Sequence, residues 1–191
     1  MGVNLTKGQR VCLEKSMTMA LVGLGWDTNM YDGGADFDLD ASAFMLGANG
    51  KVRKDEDFIF YGNLKSQDGS VLHTGDNLTG EGDGDDEQIM VELGFLPEYY
   101  DKIIFVVNIF QALQRKQHFG MIENAFIRIC DAETGEELCK FNLSESYEGM
   151  TAMVFAELYR HNGGWKFNAI GQATQDNSVN ELANRFIKKI I

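Results

Sequence analysis

Asp36-Phe37-Asp38-Leu39-Asp40-Ala41 alternates acidic and apolar side chains. Successive side chains of an extended strand point to opposite faces, so this stretch predicts a strand with Phe37, Leu39 and Ala41 facing one way and Asp36, Asp38 and Asp40 the other. It is one of a series. Strand-like segments recur over 16–24, 37–46, 57–61, 88–93, 102–109, 125–130, 138–143, 151–159 and 165–170, with turn residues between them. That punctuation belongs to an all-β sandwich. Ile103-Ile104-Phe105-Val106-Val107 is apolar throughout and suits a central strand covered on both faces. Hairpin signals stand at Ala48-Asn49-Gly50, Gln67-Asp68-Gly69 and Glu133-Thr134-Gly135. Pro97 is the only proline against 21 glycines, so turns must be made chiefly by Gly, Asn and Asp.

Near the end of the chain the period changes. Val179, Leu182, Phe186, Ile187 and Ile190 recur at helical spacing, behind Ser178 and Glu181 in capping-box positions. One C-terminal α-helix docked on the sandwich is expected. With 191 residues, 44% of them apolar, and no linker or fixed-period repeat, the chain reads as a single domain over 1–191.

Charge narrows the function. Twenty-nine acids against 17 bases give a formal net charge of -12, which repels phosphate backbones and anionic lipid surfaces, so nucleic acid is not an expected partner. Cys12, Cys130 and Cys139 are odd in number and widely spaced, offering neither a disulfide framework nor a zinc-type pair; they are read as reduced thiols, with Cys130 buried and inert. No signal-peptide core and no apolar run of about 18 residues is present. The expectation is a cytoplasmic protein with no transmembrane segment. His73, His118 and His161 stand alone, with no nucleophile placed beside them, and are read as surface or structural residues. Met17 and Met19 read as core, Trp26 as a packing residue that fixes the strand end presenting Asp27, and Trp165 as packing.

The acids are clustered rather than spread. Asp76-Asn77-Leu78-Thr79-Gly80-Glu81-Gly82-Asp83-Gly84-Asp85-Asp86-Glu87 carries six carboxylates, no base, and glycines at alternate positions. Carboxylates about 5 Å apart repel by roughly 3 kcal/mol per pair at an effective dielectric near 20, so a tight turn of acids calls for a cation among them. Calcium fits best: it takes about six to eight oxygens, mixes carboxylates with backbone carbonyls and tolerates irregular geometry. Glycines allow the backbone to curl its carbonyls inward. Magnesium demands stricter octahedral geometry, and zinc favours His and Cys, which the loop lacks. Leu78 stands where an EF-hand needs an oxygen ligand, and the flanks are strands rather than helices. A second cluster lies upstream, in Asp27 and in Asp36, Asp38 and Asp40. Neighbours on one strand face are about 7 Å apart, too far for Asp38 and Asp40 to grip one ion unaided, and the 76–87 loop can supply the help.

Met1-Gly2-Val3-Asn4-Leu5-Thr6-Lys7-Gly8, Val22-Gly23-Leu24-Gly25-Trp26-Asp27, Phe37-Asp38-Leu39-Asp40-Ala41-Ser42-Ala43-Phe44, the 75–87 stretch, and Glu157-Leu158-Tyr159-Arg160 with Trp165-Lys166-Phe167 together resemble the TerD family of bacterial tellurium-resistance and stress proteins, over essentially the whole chain. The resemblance implies a calcium-binding β-sandwich of two sheets holding two ions, associated with resistance to tellurite and other stresses, and without established enzymatic activity. Family metal sites carry over onto Asp27, Asp38, Asp40, Asp76, Glu81, Asp83, Asp85, Asp86 and Glu87, with Asp36 supported only by its strand face. Gly171-Gln172-Ala173 departs from the family pattern, which tends to have a further glycine after Gln; that bears on the local backbone and not on the metal sites.

The competing enzyme reading is a magnesium-dependent phosphatase of the haloacid dehalogenase type, since Asp38-Leu39-Asp40 resembles its nucleophile motif and Gly82-Asp83-Gly84-Asp85-Asp86 its metal motif. Those motifs should end apolar strands in a βα-alternating fold, and the pattern here is all-β. Gly80, Gly82 and Gly84 could suggest a phosphate cradle, but Glu81 and Asp83 would repel the phosphate and no P-loop lysine is present. The expected protein is therefore a non-enzymatic binding or scaffolding module in the stress response, with calcium ions and other stress-response proteins as its partners.

Overall fold

The computed structural model describes residues 2–27, 36–75, 84–143 and 147–187. In chain order its strands are β1 (Val3–Leu5), β2 (Arg10–Cys12), β3 (Met19–Gly25), β4 (Leu39–Leu46), β5 (Phe58–Ile59), β6 (Val71–His73), β7 (Glu87–Glu92), β8 (Lys102–Ile109), β9 (Phe126–Asp131), β10 (Glu137–Asn142), β11 (Ala152–His161) and β12 (Gly164–Thr174), with short helices α1 (Ala112–Arg115) and α2 (Val179–Ala183). Among the described residues they form two six-stranded sheets, ordered β1-β10-β9-β3-β7-β6 and β2-β12-β11-β8-β4-β5. The pairing of β1 with β10 is parallel; the others are antiparallel. The all-β sandwich of two sheets is as the alternation predicts.

Alternation decides which face each side chain takes. Leu39, Ala41, Ala43 and Met45 of β4 and Ile103, Phe105 and Val107 of β8 point between the sheets, into one core with Val22 and Leu24 of β3 and Ile89 and Val91 of β7. The intervening Phe44, Leu46, Ile104 and Val106 point the other way, into a smaller core closed by Val179, Leu182 and Ala183 of α2. This accounts for the unbroken apolar run in β8: both faces of a central strand are covered, one by the opposite sheet and one by the C-terminal helix. Val106 lies opposite Ser42 and Asn108 opposite Asp40, so the outer face turns polar toward the end of the sandwich where β4 begins.

The helix docks as expected but is shorter than its periodicity suggests. Ser178 Oγ accepts from the Glu181 amide at 3.2 Å, while Glu181 Oε2 accepts from the Asn177 amide at 2.7 Å; the reciprocal arm of the capping box has moved one residue upstream of the cap. Beyond Ala183 the chain turns, yet Phe186 still lies 4.8 Å from the Phe44 ring. Ile190 is outside the described residues. Strands β1, β2 and β6 escape the sequence reading, because three residues are too few for a period of two to register. Gly171 lies within β12 beside a register shift against β11. A Cβ there would stand 2.8 Å from the Phe141 ring, so the departure from the family pattern coincides with a bulge packed against the core.

One buried polar pair fastens the opposite end of the main core. Asp57, 1% exposed, accepts from the Tyr100 hydroxyl on Oδ1 and from the Arg53 amide on Oδ2 at 3.1 Å. Burial, with this bond to the carboxylate, pushes the Tyr100 hydroxyl well above the ordinary phenol range. Tyr100→Phe strips the carboxylate of a donor and is expected to cost about 1–3 kcal/mol, or about 2–4 °C in melting temperature per kcal/mol for a domain of this size. A thermal melt indistinguishable from wild type would show that the pair does not hold the fold.

Candidate metal site

The ends of β3 and β6 and the starts of β4 and β7 meet at one end of the sandwich, and the local sequence explains how. In Val22-Gly23-Leu24-Gly25 the apolar residues face the core while the glycines face out, where the acidic segment lies directly on the strand. A Cβ on Gly23 would stand 2.2 Å from the Asp85 carboxyl, and one on Gly25 would stand 2.7 Å from the Gly84 carbonyl. The Asp86 amide donates to Leu24 O at 2.8 Å. In return the Trp26 amide donates to Asp86 Oδ2 at 2.9 Å, and the buried Trp26 indole donates to Phe37 O at 3.0 Å. Trp26 thus ties the acidic segment to the entry of β4, the positioning role its sequence context suggests.

The expected ligands share this end but not one face. Asp27 sits at the rim and accepts from Asn124 Nδ2 at 2.6 Å. Asp86 lies beside it on the Trp26 amide. Asp85 has its side chain buried against Arg128 of β9, through bonds of 2.7 and 3.1 Å that span the width of β3. Glu87 is no loop residue: it opens β7 and points between the sheets. Its Oε2 accepts from the Ala41 amide at 2.5 Å and lies 3.6 Å from His73 Nε2. Asp40 accepts from Asn108 Nδ2 at 2.9 Å on the outer face of the second sheet, and Asp38 pairs with Arg115 at 3.3 Å. Asp36 contributes its backbone carbonyl to Gln117 Nε2 at 3.1 Å. Asp76, Glu81 and Asp83 lie outside the described residues. Among the described residues, no three His, Cys, Asp or Glu side chains gather at metal-ligand spacing.

His73 and Arg128 belong to this end; of the surface or structural role the sequence allows His73, the structure shows the structural one, while Arg128 was passed over. Gly75 donates its amide to His73 Nδ1 at 3.2 Å, which assigns the ring proton to Nε2, facing the Ala41 carbonyl at 3.2 Å. His73 alternates with the buried Val71, so its inward aim was legible once the three-residue strand is recognised. Arg128 interrupts an apolar strand, Ile127-Arg128-Ile129; that places it on the outer face without naming its partner.

The electrostatics set Asp86 apart. Burial raises the Asp86 pKa, against the opposing hydrogen bond from the Trp26 amide, and the charges of Asp85 and Asp27 raise it further. The donors are carboxylates, with glycine-rich backbone beside them, and a hard divalent cation suits such a set. Asp85 differs from the rest, since Asp85→Asn removes half of a part-buried ion pair as well as a candidate ligand. Gly23→Ala drives a methyl into that carboxylate and is expected to cost about 1–3 kcal/mol. Combined with Asp85→Ala, which removes what the methyl strikes, its melting penalty should be less than additive; strict additivity would contradict the contact.

Comparison with known proteins places the chain in a family. The family model of the TerD domain matches residues 1–186. The chain is 58% identical over 174 residues to the tellurium resistance protein TerD of Alcaligenes sp, covering 90% of each chain, and 57% identical over 175 residues to that of Serratia marcescens, covering 90% of this chain and 91% of the relative. It is 53% identical over 178 residues to general stress protein 16U of Bacillus subtilis (strain 168), covering 92% of each. Its fold matches the crystal structure of a TerD homologue from Streptomyces coelicolor A3(2) with a TM-score of 0.66 at 23% identity, covering 86% of this chain and 95% of that one. The phosphatase reading has no support in these matches, and its nucleophile motif falls at the start of β4 rather than at a strand end. The chain belongs to the TerD family of tellurium-resistance and stress-response proteins.

Proposed function

We propose that this chain is a cytoplasmic calcium-binding module of the stress response, acting by binding or scaffolding and not by catalysis. The observation that supports it is the raised pKa of Asp86, due first to burial and then to the neighbouring charges of Asp85 and Asp27, on a strand end held by Trp26. Asp85 and Asp86 follow the acidic 76–83 stretch in the chain, after Gly84. Asp27 and Asp86 would be the first ligands, with Asp76, Glu81 and Asp83 completing the oxygen set; Asp38 and Asp40, which share a strand face, would serve a second ion, while Asp85 and Glu87 would hold the walls through Arg128 and Ala41. A calcium ion would supply charge neutralisation, fastening a segment that repels itself. No helix among the described residues is long and apolar enough to cross a membrane, and tellurium resistance and general stress are what the relatives' names record.

The test is a thermal melt in chelator, in calcium and in equal magnesium. At about 100 times the dissociation constant one site adds roughly 2.7 kcal/mol, which at about 2–4 °C per kcal/mol is an upward shift of roughly 5–11 °C. Magnesium should give much less. The sign of the pH dependence follows from Asp86: with its folded pKa raised, ionising it opposes folding as pH rises through that value, and calcium reverses this by favouring the ionised form. The calcium shift should therefore fade as pH falls, beginning above the ordinary carboxylate range. Asp86→Asn keeps an acceptor for the Trp26 amide and removes the crowded charge. It should melt no lower than wild type in chelator while losing part of the calcium shift. Identical curves in calcium and chelator near neutral pH would refute the proposal.

A further inference from the structure

Two lysines and an arginine stand together at the opposite end of the sandwich. There the tip of the β11–β12 hairpin meets the end of β2, and a cleft of about 340 Å³ opens, lined by Cys12, Leu13, Lys15, His161, Trp165 and Lys166, among others. Its lining contains no carboxylate. Lys166 stands opposite Cys12 in the β2–β12 register, and the Leu13 amide donates to Trp165 O at 2.9 Å, so the two walls are hydrogen-bonded to each other. The Lys15 stem lies along Gly164, 3.6 Å from where a Cβ would be. Arg160 stacks 4.5 Å over the Trp165 ring and is held by the carbonyls of Tyr100 and Leu96 at 2.8 and 2.7 Å, which fixes a further positive charge beside the cleft.

Lys15 and Lys166 make no ion pair among the described residues. In a chain of net charge -12, two uncompensated lysines beside an immobilised arginine, with no acid lining the same cleft, form a local field of the opposite sign to the rest of the molecule. The volume falls in the range that takes small ligands, and the Leu13 and Trp165 walls offer apolar contact around the charged groups. We propose that this cleft binds a small phosphate-bearing molecule, with Lys15 and Lys166 on the phosphate and its organic part against Leu13 and Trp165. The site is remote from the acidic end and does not depend on calcium being bound there.

The cleft carries its own reporter. Cys12 is exposed, whereas Cys130 and Cys139 are buried, and burial raises the pKa of both, that of Cys139 up to about 12, so Cys12 alone should react readily with an uncharged alkylating reagent such as iodoacetamide. Phenyl phosphate, titrated into the full chain in chelator, should bind by calorimetry and slow Cys12 alkylation several-fold. Inorganic phosphate should do the same more weakly, and phenol should do neither. In Lys15→Gln with Lys166→Gln, which leaves the core untouched and should melt like wild type, affinity should fall at least tenfold and the protection of Cys12 should vanish. Equal binding by wild type and the double variant, protection by phenol as strong as by phenyl phosphate, or no protection at all would each overturn the proposal. Calcium melts on the same samples keep its failure separate from failure of the metal site.

Discussion

The hydrogen bond from the Ala41 amide to Glu87 joins the two sheets at the acidic end, and the rest of that end depends on it. A carboxylate buried between sheets is tolerated only where donors surround it, and here Ala41 and His73 face it from β4 and β6. Because Glu87 opens β7, the acidic segment leading into it cannot drift. Its last residues are pinned against β3 by the Leu24 carbonyl and the Trp26 amide, and Trp26 reaches back to the Phe37 carbonyl at the entry of β4. Three strand ends from two sheets are thereby held in one arrangement before any ion is considered.

That arrangement explains how carboxylates come to be crowded without unfolding the domain. Asp85 is neutralised across the sheet by Arg128, whose guanidinium is held firmly charged, chiefly by its bonds to Asp85. Asp86 and Asp27 accept instead from amide donors, the Trp26 backbone and the Asn124 side chain. The outcome is a division of labour among neighbouring acids: one belongs to the fold, one to the bond between sheets, and two stand at the rim where a cation would relieve them. At the other pole the lysine cleft has the reverse character, and the long strands between keep the two fields apart.

Much of this was legible in the chain. The alternation of 36–41, the unbroken apolar run of 103–107 and the helical spacing after Ser178 foretold β4, a central β8 and the docked α2, because each rests on a local period and on burial. Where the period had too few residues to show itself, as in β1, β2 and β6, the strands were missed, and with β6 the inward aim of His73. Val22-Gly23-Leu24-Gly25 carried an unread signal: glycine at each outward position marks a strand on which another segment lies.

The sequence by itself determined the longer strands, the inward set of apolar side chains, and the concentration of carboxylates in two stretches, since each follows from side-chain chemistry and its spacing. Tertiary structure alone decided which acid is spent on which partner. Asp85 and Arg128 are 43 residues apart, and Glu87 and Ala41 are 46 apart, so their pairing depends on strand order and register, which no local pattern encodes. Only the packed sheets separate the carboxylates that hold the fold from those left facing the rim.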